Sequence, residues 1–289
     1  MAVILIAVIL LCAMGNNVFK NLFAKGEVCS DGDNAIYNVI ACGIGAPLSL
    51  IGNGFSAVSG TTLLLAFFFG LSMAGVAITT IKALRSGPMS LTVLFGNFSA
   101  VIPILFGFLF WHEPVSLLKA SGILLMFVSI YFIVNPDVNV KVSKTWVLFA
   151  GLYALTTGLM ALFQLFQSKR MGGEEAAMFL FWGFTFATLW MIVYLVFCNR
   201  KPETKMTIRL LSRENLNGLI VGIFGGISHI CTMKVLTVLD STVFYPVKDG
   251  LCLVCNTLLG YFLFKERIHK KQFAGLVLGS IAIMILTIF

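Results

Sequence analysis

The chain has 289 residues, of which 59% are hydrophobic and only 11% charged. A water-soluble domain carries about a quarter of its residues as charges, so this sequence cannot cover a wet surface but can cover a lipid-facing one. The formal net charge of +8 sits in short loops between apolar runs, which argues for anionic lipid headgroups and a positive-inside bias and against a nucleic-acid partner.

A helix needs about 20 mostly apolar residues to cross the hydrocarbon core. That ruler predicts an all-α integral membrane protein of ten transmembrane helices, at 2–22, 34–52, 61–84, 89–111, 115–134, 145–168, 174–198, 216–238, 241–264 and 268–289. The first run has no basic leader and no small-x-small cleavage site, so it reads as a span and not a removable signal. Breakers or charges separate the spans, as at Gly87-Pro88, His112-Glu113-Pro114 and Asn135-Pro136-Asp137, and the longest polar stretch, Asn199 to Asn217, is too short for a soluble domain. Glycines at four-residue spacing, Gly222 with Gly226 and Gly275 with Gly279, predict close helix approaches. The seven cysteines, an odd number mostly inside apolar runs, read as small packing residues and not as disulfides or metal ligands.

The sharpest pattern is internal. Leu105-Phe-Gly-Phe-Leu-Phe-Trp-His-Glu113 matches Leu258-Leu-Gly-Tyr-Phe-Leu-Phe-Lys-Glu266, and at the same offset Gly122 falls on Gly275. Upstream, Gly70 and Lys82-Ala-Leu84 match Gly222 and Lys234-Val-Leu236, one residue out of register. The second and seventh spans both open with acidic residues, Asp31 and Asp33 against Glu174 and Glu175. These matches predict two five-helix repeats, 1–138 and 139–289. Because five is odd, the copies cross the membrane in opposite directions, an arrangement found in secondary transporters with their site near the midplane.

Ten spans in a 5+5 duplication, the Gly-x5-Glu segments Gly107 to Glu113 and Gly260 to Glu266, and Pro103 and Pro246 in the fourth and ninth spans resemble the EamA-type members of the drug/metabolite transporter superfamily. The resemblance implies an inner-membrane carrier of small organic metabolites and termini on the cytoplasmic side. It also implies a central cavity lined by the first, third, fourth, sixth, eighth and ninth helices. The basic residues alone point the other way about orientation, since fifteen of the 20 lie near odd-numbered connections, Lys20 and Lys25 among them, and the positive-inside rule then puts the termini outside.

Ionisable groups inside a membrane are costly and so are functional candidates. Lys248 and Asp249, in Phe244-Tyr-Pro-Val-Lys-Asp-Gly250, lie two turns inside the ninth span, while the first repeat has Phe95 and Gly96 at the equivalent places. Pro246 and Gly250 flank the pair and predict a local break. Adjacent residues point about 100° apart on a helix, so the two need not pair with each other. Lys248 suits an anionic substrate group, and Asp249 or the mid-span His229 suits a coupling proton; the plain alternatives are an inter-helix salt bridge and a packed histidine. The amides Asn16, Asn97 and Gln164 either bind polar substrate groups or hold helices together. Tyr153, Trp182 and Tyr245, with Trp190, are candidates for an aromatic wall. Lys82 and Lys234, near their helix ends, read as snorkelling residues, and Glu113 and Glu266 as structural.

No phosphate loop, zinc-type spacing or nucleophile motif is present, so an enzyme, a cofactor and a metal are not expected, and energised transport would draw on an ion gradient. The expected partners are a small-molecule substrate, membrane lipids and a coupling proton or other ion, in a monomer or homodimer. The leading expectation is a secondary transporter of a small polar, carboxylate-bearing solute. The alternatives are an amine or choline-like cargo, a lipid-flipping factor and a non-transporting scaffold.

Overall fold

The computed structural model describes residues 2–26, 30–51, 54–111, 116–134, 143–171, 173–199, 213–265 and 270–288. Among them every regular element is helical: α1 (Ala2–Lys25), α2 (Asp31–Ser49), α3 (Gly60–Ser86), α4 (Met89–Asn97), α5 (Val101–Trp111), α6 (Leu117–Val134), α7 (Lys144–Met171), α8 (Ala176–Asn199), α9 (Arg213–Leu236), α10 (Ser241–Phe264) and α11 (Lys270–Ile288). Seven helical stretches of the described residues are long and apolar enough to cross a membrane: α1, α3, Leu91–Trp111, α7, α8, Leu216–Leu236 and α10. The expected second, fifth and tenth spans are helical as α2, α6 and α11, but their described residues fall short of that measure; α2, for example, opens on Asp31 and Asp33.

The expected fourth span is two helices joined by a 3-10 turn at Phe98–Ala100. Pro103, in the first turn of α5, has no N–H to offer the carbonyl four residues back, and the tighter turn absorbs the missing bond. The break expected around Pro246 does not occur: α10 runs unbroken from Ser241 to Phe264. Pro246 lies in its second turn, where it withholds one backbone N–H without ending the helix.

Caps and short polar links set the helix ends. Ser30 and Asp33 form a capping box at the start of α2. Ser59 caps α3 by accepting from the Thr62 N–H (3.2 Å), and its own hydroxyl donates to Glu175 at 2.8 Å. Lys82 does not simply snorkel; its ammonium pairs with Asp31 at 3.1 Å, tying the end of α3 to the start of α2. Lys169 likewise joins Asp240 at 3.0 Å. The Gly-x5-Glu carboxylates Glu113 and Glu266 lie outside the described residues.

Glu175 sits just before α8, and hydrogen bonds from Thr62 and Ser59 hold its carboxyl below the usual glutamate range. A carboxylate with a depressed folded value stabilises the fold above its unfolded value and loses that contribution as pH falls through the folded one. Glu175→Gln is therefore expected to flatten the pH dependence of thermal unfolding on the acid side of pH 4.5 and leave it unchanged at neutral pH. An unaltered acid profile would show that the Glu175 cap carries none of it.

Small residues permit the closest crossings. α3 packs along α7 and α8, α9 along α1 and α2, α2 against α8, and α6 against α11. A Cβ on Gly70 of α3 would stand 2.7 Å from the Gly183 carbonyl oxygen of α8, and one on Gly222 of α9 would stand 2.5 Å from that of Ala41 in α2. Ser129 of α6 donates to the Gly275 carbonyl of α11 at 2.6 Å. The outside of the bundle carries large apolar side chains, such as Leu64, Phe110 and Phe262. Such a surface is stable against lipid, because helices satisfy their backbone groups internally.

Candidate functional site

A cavity of about 210 Å³ lies inside the bundle, walled by α1, α2, α3, α4, α7, α9 and α10, with Ser99 of the 3-10 turn and Phe184 of α8. This agrees with the helices implied by the family resemblance and adds α2 and one residue of α8. Two apolar clusters border it, and Ile9 of the second also lines the cavity. One gathers Phe23, Tyr37, Ile81, Leu84 and Met89, with the Phe23 and Tyr37 rings stacked at 4.0 Å. The other gathers Ile9, Ile104, Leu165, Leu236 and Phe244. Along α1 the two clusters are about 21 Å apart, at a rise of about 1.5 Å per residue between Ile9 and Phe23.

The structure brings Lys248, Asp249, Tyr245, His229, Asn16, Asn97, Gln164 and Tyr153 into this one cavity wall. Lys248 and Asp249 do pair, at 2.9 Å, although neighbours on a helix need not. The long lysine chain folds back over its own helix, where the Tyr245 ring supports its ammonium at 5.3 Å and Phe244 at 5.9 Å. Asp249 is 8% exposed, and its second carboxylate oxygen has no hydrogen-bond partner among the described residues. Its backbone carbonyl accepts from the Asn97 amide at 2.8 Å. The broken fourth span is thereby stitched to the charged turn of α10.

The other side chains divide into held and free groups. The Tyr245 hydroxyl donates to the Ala161 carbonyl at 3.0 Å, bridging α10 and α7. Tyr153 occupies the space that a Cβ on Gly96 would take. His229 meets the rings of Phe69 and Phe184 edge-on, at 5.5 Å and 5.7 Å. The Asn16 carbonyl oxygen and the Gln164 amide nitrogen are buried with no hydrogen-bond partner among the described residues. Leaving a polar group unpaired costs about 1–3 kcal/mol, so each is a natural contact for a polar cargo. Asn17 instead donates to Asn256 at 3.2 Å and joins α1 to α10.

Trp182 is not in the cavity. It belongs to a row of rings, Trp182, Phe186, Phe67 and Trp190, at the α3–α8 seam. Trp182 and Trp190 do share a helix face, but that face meets α3. Conversely, Lys20 and Asn38 line the cavity and were not expected there. Lys20 falls near the end of the first apolar run, where a lysine reads as a loop residue. Because α1 continues to Lys25, Lys20 lies more than a turn inside the helix. Taking Lys20 out of the loop tally leaves the sign of the charge bias unchanged.

An ion pair and unpaired amides share one helix-walled cavity, and the comparisons with known proteins bear on the family and the fold. The sequence profile of the EamA-like transporter family matches residues 144–288. The chain belongs to the EamA-like transporter family. As a family member with several apolar membrane-spanning helices, it is a multi-pass membrane protein of a transporter family and not of an enzyme family. An uncharacterized protein of Haemophilus influenzae is 25% identical over 221 residues, covering 75% of this chain and 72% of the relative. A solved crystal structure superposes with a TM-score of 0.64 over 97% of this EamA-like chain and 98% of the other, at 14% identity, which speaks to the fold alone.

Proposed function

We propose that the chain is a secondary transporter of a small carboxylate-bearing solute, amino-acid-like in size, working by alternating access between two inverted five-helix halves. The observation that carries this reading is the Lys248–Asp249 pair, two turns inside α10 with Asp249 buried, in the wall of a cavity that also holds unpaired amides. At about 210 Å³ the cavity is smaller than the ~300–1,000 Å³ of sites for drug-sized ligands. It suits a metabolite and not a lipid-linked sugar.

The packing supports the repeat. Exchanging α1 with α7, α2 with α8, α3 with α9 and α6 with α11 turns the α3–α7 contact into α9–α1 and the α2–α9 contact into α8–α3, and it leaves α2–α8 and α6–α11 as they are. Gly70 and Gly222, matched in sequence, make matched close approaches. The start of the family match at residue 144 supports a division near 138. On this reading α2, α6 and α11 complete ten spans, the two apolar clusters close the cavity alternately, and Asp249 and His229 are the groups available to a coupling proton. The reading places the chain in an inner membrane, as a monomer or homodimer.

An amine or choline-like cargo is less well served. Of its aromatic wall, Tyr153 does line the cavity, but Trp182 and Trp190 lie at another seam and the Tyr245 ring already carries the Lys248 ammonium. The test is uptake into proteoliposomes from a panel of amino acids, keto acids, amines and choline, with and without a pH gradient. Saturable carboxylate uptake is expected; saturable amine uptake that carboxylates do not inhibit would overturn the reading.

A further inference from the structure

The charges of the cavity do not cancel. Lys248 is neutralised by Asp249 at 2.9 Å. Lys20 lines the same cavity from α1, and none of the ion pairs among the described residues includes it. Cys42 lines the cavity with it, and a thiol is a poor counter-ion. His229 lines the same cavity and contributes no negative charge. With Lys20, Lys248 and Asp249 as the charged groups of the wall, the unloaded cavity carries one uncompensated positive charge.

We propose that Lys20 fixes the cargo as a carboxylate of net charge −1 and makes the carrier an exchanger. The inference rests on the reading of this cavity as the substrate site. A charge sealed in a dry site is far costlier than one facing water. A cavity open to one side keeps Lys20 hydrated, whereas a cavity closed at both ends does not. A monoanion brings the closed cavity to neutrality, so the loaded carrier crosses the closed intermediate readily and the unloaded carrier crosses it slowly. A zwitterion leaves the positive charge in place, and a dianion replaces it with a negative one. Two kinds of carboxylate meet the requirement. A keto acid or other simple monocarboxylate sits on Lys20 alone, and an acidic amino acid places its two carboxylates by Lys20 and Lys248 and its ammonium by the unpaired Asp249 oxygen.

Two measurements test this on the full chain. The first is thermal unfolding of the purified protein without cargo, at fixed ionic strength. Lys20→Met is expected to raise the midpoint by removing an uncompensated charge, and Lys248→Met to lower it by stranding Asp249. A Lys20→Met midpoint that falls as Lys248→Met does would overturn the proposal. The second is proteoliposome transport of two pairs that share a carbon skeleton and differ by one charge, glutamine with glutamate and leucine with 4-methyl-2-oxopentanoate. In at least one pair the monoanion is expected to enter about tenfold faster than its neutral partner, and about tenfold faster again into vesicles preloaded with the same anion. Lys20→Met is expected to bring both ratios below about twofold. Equal net and exchange rates in the wild type, ratios unmoved by Lys20→Met, or no uptake of either monoanion would each overturn it. If the double change Lys248→Gln with Asp249→Asn abolishes uptake while Lys20→Met leaves the ratios alone, this inference fails and the cavity reading stands; if neither alters transport, the cavity reading fails too.

Discussion

Replacing Lys248 by glutamine is expected to cut carboxylate uptake by about 100-fold, which corresponds to roughly 2.7 kcal/mol of lost interaction and is within the range of a charge-assisted hydrogen bond to an anion. The single change has a second consequence. It leaves Asp249, only 8% exposed, without its 2.9 Å counter-ion, and breaking a buried pair from one side costs about 3–5 kcal/mol. Lost uptake alone therefore does not separate a binding residue from a scaffold residue. The double change Lys248→Gln with Asp249→Asn does, because it removes both charges. Its thermal midpoint is expected to return close to the wild-type value while uptake stays abolished. Recovery of uptake with stability would assign the pair to the scaffold, as a salt bridge within α10 that steadies the turn whose Asp249 carbonyl accepts from Asn97. Asp249→Asn alone is expected to be gentler on stability, since Lys248 is 24% exposed and faces the cavity.

Much of this site was legible in the sequence because the membrane makes polarity conspicuous. A charge, amide or histidine in the middle of an apolar run has few cheap places to go, so Lys248, Asp249, His229, Asn97 and Gln164 stand out before any helix is packed. The same logic fails at the ends of runs. Lys20 looks like interfacial ballast until α1 is seen to continue for five more residues. Period 3.6 correctly put Trp182 and Trp190 on one face of α8, but periodicity does not say which neighbour covers that face, and here it is α3. The pairing of Lys248 with Asp249 was missed because helix geometry speaks for Cβ directions, whereas a lysine has four further carbons with which to turn back. The helix break was expected at Pro246 and found near Pro103. Both lie on long apolar segments; Pro103 follows a 3-10 turn at Phe98–Ala100, whereas α10 accommodates Pro246 in its second turn without a break.

The glycines of the two seams offer a test of the duplication that does not involve cargo. Gly70→Ala puts a methyl 2.7 Å from the Gly183 carbonyl oxygen and 2.9 Å from the Ala187 nitrogen. Gly222→Ala puts one 2.5 Å from the Ala41 carbonyl oxygen and 3.1 Å from the Ala41 carbonyl carbon and Cα. In both cases the obstacle is the backbone of a packed helix, which has no rotamer to change, so the helices must part. Overpacking of this kind costs about 1–3 kcal/mol, against a gain of up to about 1 kcal/mol in helix propensity from Gly to Ala. Gly151→Ala is the control, because its Cβ would meet nothing within 4 Å; it is expected to be neutral or slightly stabilising. If α3–α8 and α9–α2 are the same seam built twice in opposite directions, the two alanine variants should lose stability to a similar degree in detergent-solubilised thermal unfolding, and both should differ in sign from Gly151→Ala. A large loss at one seam with tolerance at the other would mean that the matched glycines are a coincidence of composition, and the five-plus-five reading would lose its strongest physical support. Equal losses would place the two halves under the same packing constraint, leaving the charged turn of α10 as the point where one half has been specialised for cargo.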